Sequence, residues 1–94
     1  MKRATELIGG KWKLQIICSL SVNGTSRYSE LKRALPGITG TMLAASLKEL
    51  EEDKLVMRRQ YNEMPLRVEY SLTEQTQKLL PILQDLAKWA RNVR

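Results

Sequence analysis

The sequence predicts an α+β fold in which several helices precede a two-stranded hairpin and a further helix follows it. The pair Gly9-Gly10 separates two helices, because glycine costs a helix interior about 1 kcal/mol relative to alanine. In residues 67–74 the alternation of a strand changes to a helix start at Thr73. With three helices and the hairpin in between, this order predicts a winged helix-turn-helix with flanking N- and C-terminal helices.

The first two helices are predicted from apolar spacing and a stop signal. A short first helix carries Ala4, Leu7 and Ile8 on one side. The second runs from Lys11 to about Val22 and ends at Asn23-Gly24, residues that are typical of a helix C-cap. Its predicted core residues are Trp12, Ile16, Ile17 and Leu20.

The next segment predicts the first helix of the helix-turn-helix. Residues 25–28 are long enough for only a single bridge between strands. Ser29 is a good N-cap for a short helix whose Leu31 and Leu35 point inward. This helix should end at Pro36-Gly37, because proline disfavours a helical residue before it.

The candidate recognition helix is capped by Thr39 or Thr41 and runs to about Asp53. Acidic residues crowd its C-terminal end, where they would repel phosphate, so only its N-terminal half is expected to enter a DNA groove. The alternative is an ordinary amphipathic helix with a solvated charged face. The expected buried stripe is Leu43, Leu47 and Leu50, at i, i+4 and i+7.

The hairpin is predicted from Leu55–Tyr61 and Leu66–Leu72, which the turn-rich residues 62–65 separate. This hairpin is the wing. Its arginines Arg58, Arg59 and Arg67 are placed to meet phosphates or to enter a minor groove. The alternative for Arg67 is a surface ion pair with Glu63 or Glu69, which would contribute little.

The last helix should begin at Thr73 and bend near Gln77, because Pro81 removes a helical hydrogen bond. Its apolar band is wider than one small core can cover, which favours contact with a second copy of the chain. The alternative is that the helix simply closes the core of a monomer. The residues predicted for a homodimer interface are Leu7, Leu79, Leu83, Leu86 and Trp89.

Composition limits the functions that are open to this chain. Its 94 residues are expected to form one domain, 1–94, with no histidine and one cysteine, so zinc fingers and histidine-based active sites are excluded. No metal or cofactor is expected and no catalytic constellation is recognisable, so the protein is not expected to be an enzyme. No segment reads as a membrane span or a signal peptide, and a cytoplasmic location is expected.

The charge of the chain favours a polyanionic partner. The net charge is +6, divided as +3 over residues 1–26, +2 over 27–67 and +1 over the remainder. The basic residues are therefore spread along the sequence. Any positive face must be assembled by folding.

Five segments together resemble the HxlR family of bacterial transcription regulators, which are relatives of the MarR winged-helix proteins. They are IGGKW at residues 8–12, RYSEL at 27–31, LPGI at 35–38, LKELE at 47–51 and RVEYSLTE at 67–74. The resemblance implies a homodimeric regulator that binds double-stranded DNA at a pseudo-palindromic operator. It does not indicate a small-molecule effector for this chain.

The resemblance also implies which residues meet DNA. The groove-facing positions would be Gly40, Thr41, Ala44, Ala45 and Lys48, and the other DNA contacts would be Arg27, Ser29, Arg58 and Arg67. Gly40, Ala44 and Ala45 have no hydrogen-bonding side chain, unlike the residues of several family members at these positions. Direct readout would then depend on Thr41, Ser46, Lys48 and methyl contacts, with much of the specificity coming from DNA shape.

Many family members carry a reactive cysteine just before the first helix, whereas this sequence starts at Met1 without one. Cys18 lies between Ile17 and Leu20 and is expected to be a buried, structural residue, the alternative being a redox or electrophile sensor. The alternative function is a winged helix that binds a protein partner without specific DNA binding.

Overall fold

In a computed structural model, residues 3–93 are described and form six helices and one antiparallel two-stranded sheet. The predicted α+β winged helix-turn-helix is confirmed. The elements are α1 (Ala4–Ile8), α2 (Lys13–Asn23), α3 (Tyr28–Ala34), α4 (Gly40–Glu52), β1 (Val56–Tyr61), β2 (Arg67–Leu72), α5 (Glu74–Gln77) and α6 (Leu80–Val93).

The hydrophobic core lies between α2, α3, α4 and the base of the hairpin. All four predicted residues of the second helix and the whole leucine stripe of α4 are buried. The spacing of three to four residues puts each set on one side of its helix, so the helices meet through these faces. The core consists of Trp12, Ile16, Ile17, Leu20, Leu31, Leu35, Ile38, Leu43, Leu47, Leu50, Val56, Tyr70 and Leu72.

Helix α2 begins two residues later than predicted, at Lys13 instead of Lys11. Gly10 has a φ of 85°, and the chain makes a bend through Trp12 before the helix starts. Helix α2 ends as predicted, since Gly24 has a φ of 76° and its N–H donates to the Leu20 carbonyl at 2.9 Å. A left-handed residue favours glycine and stops the helix.

The prediction that Cys18 is buried is wrong, because its side chain is exposed. Cys18 lies about 200° around α2 from Ile16, on the side opposite the buried residues. Its apolar sequence neighbours therefore did not determine its environment. It lies between two apolar grooves, one towards Leu14 and Leu35 and the other towards Leu80 and Leu83 of α6.

Helix α3 begins before the predicted cap, so the assignment of Ser29 as N-cap is wrong. The N-cap is Arg27, whose backbone N–H donates to the Glu30 carboxylate at 2.8 Å. Arg27 is held in an extended conformation because Ser26 forms the predicted bridge, with Tyr70 of β2. The bridge thus sets the start of the helix.

Helix α4 is capped by Thr39, one of the two caps that the sequence left open. The Thr39 hydroxyl accepts a hydrogen bond from the Met42 N–H at 3.1 Å. At the other end Lys54 has a φ of 61°, and the chain turns there into β1. The helix is therefore fixed at its start by a side-chain cap and at its end by a left-handed turn.

The hairpin has two distinct faces. Register places Arg58 opposite Tyr70 and Val56 opposite Leu72, so Arg58 shares the face that packs on the core. The other face carries the remaining wing arginines, with Arg59 opposite Glu69 and Tyr61 opposite Arg67. Strand β1 packs against α4, so the Arg58 face is the one on the side of the helices.

The predicted last helix is two helices, not one bent helix. Thr73 caps α5 as predicted, but α5 ends at Gln77 and α6 starts at Leu80. Pro81 cannot donate to the Gln77 carbonyl, and its ring would clash with that carbonyl in a continuous helix. The chain breaks there, and Pro81 lies in the first turn of α6, where proline is tolerated.

Candidate nucleic-acid interface

The solvent face of α4 is opposite its buried leucine stripe. Thr41, Ala44, Ala45 and Lys48 are all exposed there, while Ser46 is half-buried. Within residues 3–93 no hydrogen bond or ion pair holds the Lys48 ammonium group. This face therefore offers a hydroxyl, two methyl groups and one free cation. That set can donate to base edges and contact thymine methyl groups.

Gly40 differs from its neighbours on α4, because it is half-buried beneath Tyr28 of α3. The Tyr28 hydroxyl donates to the Gly40 carbonyl at 2.9 Å. A Cβ atom at position 40 would lie 3.1 Å from that hydroxyl oxygen. Gly40 therefore allows α3 and the start of α4 to approach closely.

The start of α3 carries the predicted residues Arg27 and Ser29, and both are exposed. The same helix ends with Lys32 and Arg33, which are also exposed and which the sequence-based interpretation did not single out. Their spacing from the buried Leu31 would have placed them outside the core. The exposed surface of α3 is therefore more basic than predicted.

Arg58 is exposed on the wing face that points to the side of α4. Its guanidinium Nη2 donates to the Gln60 side-chain oxygen at 3.3 Å, two residues along the same strand. This contact links it to another exposed side chain and leaves the rest of the guanidinium open. Arg58 is therefore an exposed wing arginine on the face of the hairpin that lies towards the helices.

Arg67 lies on the opposite face and is held by its neighbours. Its Nη2 atom lies 2.9 Å from Glu63 Oε1, and its Nη1 atom lies 3.7 Å from Glu69 Oε2. The guanidinium also stacks over the Tyr61 ring, 4.1 Å from its centroid. The ion pairs that the sequence left open as an alternative are thus present.

The residues predicted for a dimer interface occupy two environments. Leu86 and Trp89 are 53% and 62% exposed, whereas Leu7, Leu79 and Leu83 are half-buried. Leu83 packs against the core of its own chain. The exposed stripe of α6 extends to two residues that the sequence-based list missed, Ile82 and Val93, each 62% exposed.

Two other kinds of site, a metal cluster and a membrane-spanning helix, are absent from the described residues. Among residues 3–93 no three aspartate, glutamate or cysteine side chains are grouped so that they could hold a metal ion. No helix in this part of the chain is long and apolar enough to cross a membrane.

The fold and the exposed face of α4 define a winged helix-turn-helix DNA-binding protein. Residues 7–94 match the HxlR-like helix-turn-helix family, so the chain belongs to that family. It is 52% identical over 84 residues to YkvN, an HTH-type transcriptional regulator of Bacillus subtilis strain 168, covering 89% of this chain and 70% of that protein. It is 49% identical over 83 residues to YdzF of the same organism, with coverages of 88% and 76%.

Solved structures agree with this assignment. A structure of the HTH-type regulator YtcD has a TM-score of 0.89 and 46% identity, over 94% of this chain and 89% of that one. A MarR-family regulator from Enterococcus faecalis V583 has a TM-score of 0.87 and 44% identity, over 96% and 81%. The chain is thus a DNA-binding transcription regulator by family. The prediction that it is not an enzyme is confirmed by the same relatives.

Proposed function

We propose that the protein is a homodimeric transcription regulator that binds a pseudo-palindromic operator. The observation that carries this proposal is the free Lys48 ammonium on the exposed face of α4, the helix against which β1, the strand of Arg58, packs. The N-terminal half of α4 would lie in the major groove, and the wing would meet the adjacent backbone or minor groove.

Sequence readout by this face combines a few direct contacts with DNA shape. Lys48 and Thr41 supply donors, and Ala44 and Ala45 supply methyl groups for contact with thymine. Gly40 contributes by allowing the close approach of Tyr28 and not by a side-chain contact. With few donors on α4, the deformability of the operator would carry much of the discrimination.

Phosphate contacts fix the register of the protein on the duplex. Arg27, Ser29 and Arg58 are exposed and are available for this role. Arg67 was also proposed as a contact, but it would have to exchange its two glutamate partners for a phosphate. We therefore propose Arg58 as the main contact between the wing and DNA.

The uncovered stripe of α6 supports the proposed dimer. None of the described residues of α6 is buried in the monomer, although Ile82, Leu86, Trp89 and Val93 recur on one side of it. A second copy that covers this stripe together with α1 would bury more than about 1,000 Å² in total, as stable interfaces do. The two recognition helices could then meet successive major grooves.

Selection of bound duplexes from a random pool tests the proposed function. The expected result is an inverted repeat with half-sites about one helical turn apart, bound with an affinity that falls steeply with salt. Recovery of no preferred sequence, together with an association that is insensitive to salt, would contradict it. That outcome would favour a winged helix that binds a protein partner.

A further inference from the structure

Lys13 joins three helices through one ammonium group. Its Nζ atom lies 2.6 Å from Glu49 Oε2 on α4 and donates to the Glu6 carbonyl on α1 at 3.4 Å. The Lys13 side chain is only 13% exposed, although lysine is the first residue of α2. A lysine this well covered is held in one geometry, unlike most surface lysines.

The contact between Lys13 and Glu49 matters because of where Glu49 lies on α4. Glu49 follows Lys48 directly in the sequence, so the residue that Lys13 holds is next to the free cation of the recognition helix. Glu6 lies in α1, beside Leu7 of the proposed dimer interface. One side chain therefore connects the helix proposed to read DNA with a helix proposed to contact the second copy.

We infer that Lys13 is a positioning residue for DNA recognition, which fixes the orientation of α4 relative to α1 through Glu49 and the Glu6 carbonyl. The inference rests on the proposed function. Lys13 itself is turned towards protein partners and does not contact DNA. Its contribution is to keep Lys48 and Thr41 at the angle that matches both half-sites of an operator, since misplacement by about 1 Å weakens such constellations.

The test compares Lys13→Met, Glu49→Gln, the double variant and the conservative Lys13→Arg. Affinities are measured for the duplex selected by the wild type and for a random-sequence duplex. Each single substitution should reduce the ratio of specific to random affinity about fivefold, as expected for the loss of one such pair. The double variant should lose no more than either single one, and Lys13→Arg should retain most of the ratio. Lys78→Met, which removes the same charge from the exposed turn before α6, should leave the ratio unchanged.

Two results would overturn the inference. If Lys13→Met weakens all duplexes and lowers the salt slope by about one while Glu49→Gln has no effect, then Lys13 contacts phosphate directly. If Glu49→Gln restores the affinity lost in Lys13→Met, the lysine only neutralises an acid near DNA.

Urea unfolding of the wild type, Lys13→Met, Glu49→Gln and the double variant separates this inference from the proposed function, because it requires no DNA. A coupling of about fivefold in the unfolding equilibrium constant is expected between positions 13 and 49. If the wild type selects no DNA sequence but the coupling is present, the proposed function fails and the link between the helices stands. If the coupling is absent, the link itself is wrong.

Discussion

The hydroxyl of Tyr28 donates a hydrogen bond of 2.9 Å to the carbonyl of Gly40, and so joins the first residue of α3 to the first residue of α4. Both helices of the helix-turn-helix are thereby connected at their N-terminal ends. The contact needs the close approach that glycine permits, because a Cβ atom would lie 3.1 Å from the Tyr28 oxygen. The start of α4 is therefore fixed from two sides, by this bond and by the Thr39 cap.

Tyr28→Phe should destabilise the protein by about 1 kcal/mol, since it removes one half-buried hydrogen bond and keeps the ring. The midpoint of urea unfolding measures the effect. Thr41→Val, at an exposed position of α4, serves as a control for the loss of a hydroxyl group and should change the midpoint less. An unchanged midpoint in Tyr28→Phe would show that water replaces the bond without loss.

Gly40→Ala should be more favourable in the Tyr28→Phe background than in the wild type. Alanine favours a helix over glycine by up to about 1 kcal/mol, but in the wild type its methyl group would crowd the Tyr28 hydroxyl. Removal of that hydroxyl relieves the crowding. A double-mutant cycle by urea unfolding gives the coupling, and additive effects would contradict the assigned contact.

Lys48→Ala and Arg58→Ala should weaken DNA binding in different ways. Loss of Lys48 should reduce operator preference by roughly 1–3 kcal/mol if the ammonium contacts a base edge. Loss of Arg58 should weaken all duplexes about equally and lower the salt slope by about one. Binding titrations at several salt concentrations distinguish the two outcomes. Equal losses on specific and random DNA in Lys48→Ala would remove its assignment to base contact.

Trp89→Glu should yield a folded monomer, because Trp89 is 62% exposed and a charge there opposes burial against a second copy. Light scattering at tens of micromolar gives the mass, and far-UV circular dichroism reports the fold. Arg91→Gln makes the same change in net charge about 200° around α6 and should remain dimeric. Leu83→Glu should unfold the chain as well, since Leu83 packs on the core. A monomeric wild type at these concentrations would rule out the dimer.

Cys18→Ser should cost less than about 0.5 kcal/mol, because the side chain is exposed and a hydroxyl there remains hydrated. A thiol reagent should label the native protein completely, without prior unfolding. Urea unfolding and a labelling time course provide the two measurements. A large loss of stability, or labelling that occurs only after unfolding, would mean that Cys18 is covered in solution.

Local sequence signals determined where most of the helices begin and end. Thr39 as a cap, Gly24 as a stop and the leucine spacing of α4 each act within a few residues, so they were predicted correctly. Pro81 determined the position of the break near Gln77 but not its extent, since whether a helix bends or separates depends on what packs around it. The exposure of Cys18 could have been predicted from its angle around α2. Its apolar sequence neighbours face the core from other angles around the helix.

What the sequence by itself determined is the order of the helices, the hairpin and the face of α4 that is free of leucine. Only the tertiary structure decided which charges meet. Lys13 pairs with Glu49 on another helix, which no local pattern indicates. For Arg67 the sequence left open a phosphate contact or a pair with Glu63 or Glu69, and the structure contains both pairs. Local patterns fix backbone conformation because their hydrogen bonds join residues within one turn or one strand pair. A charged side chain can pair with a residue on another helix only after packing has placed the two helices side by side. Such a pair therefore cannot be predicted from residue spacing alone.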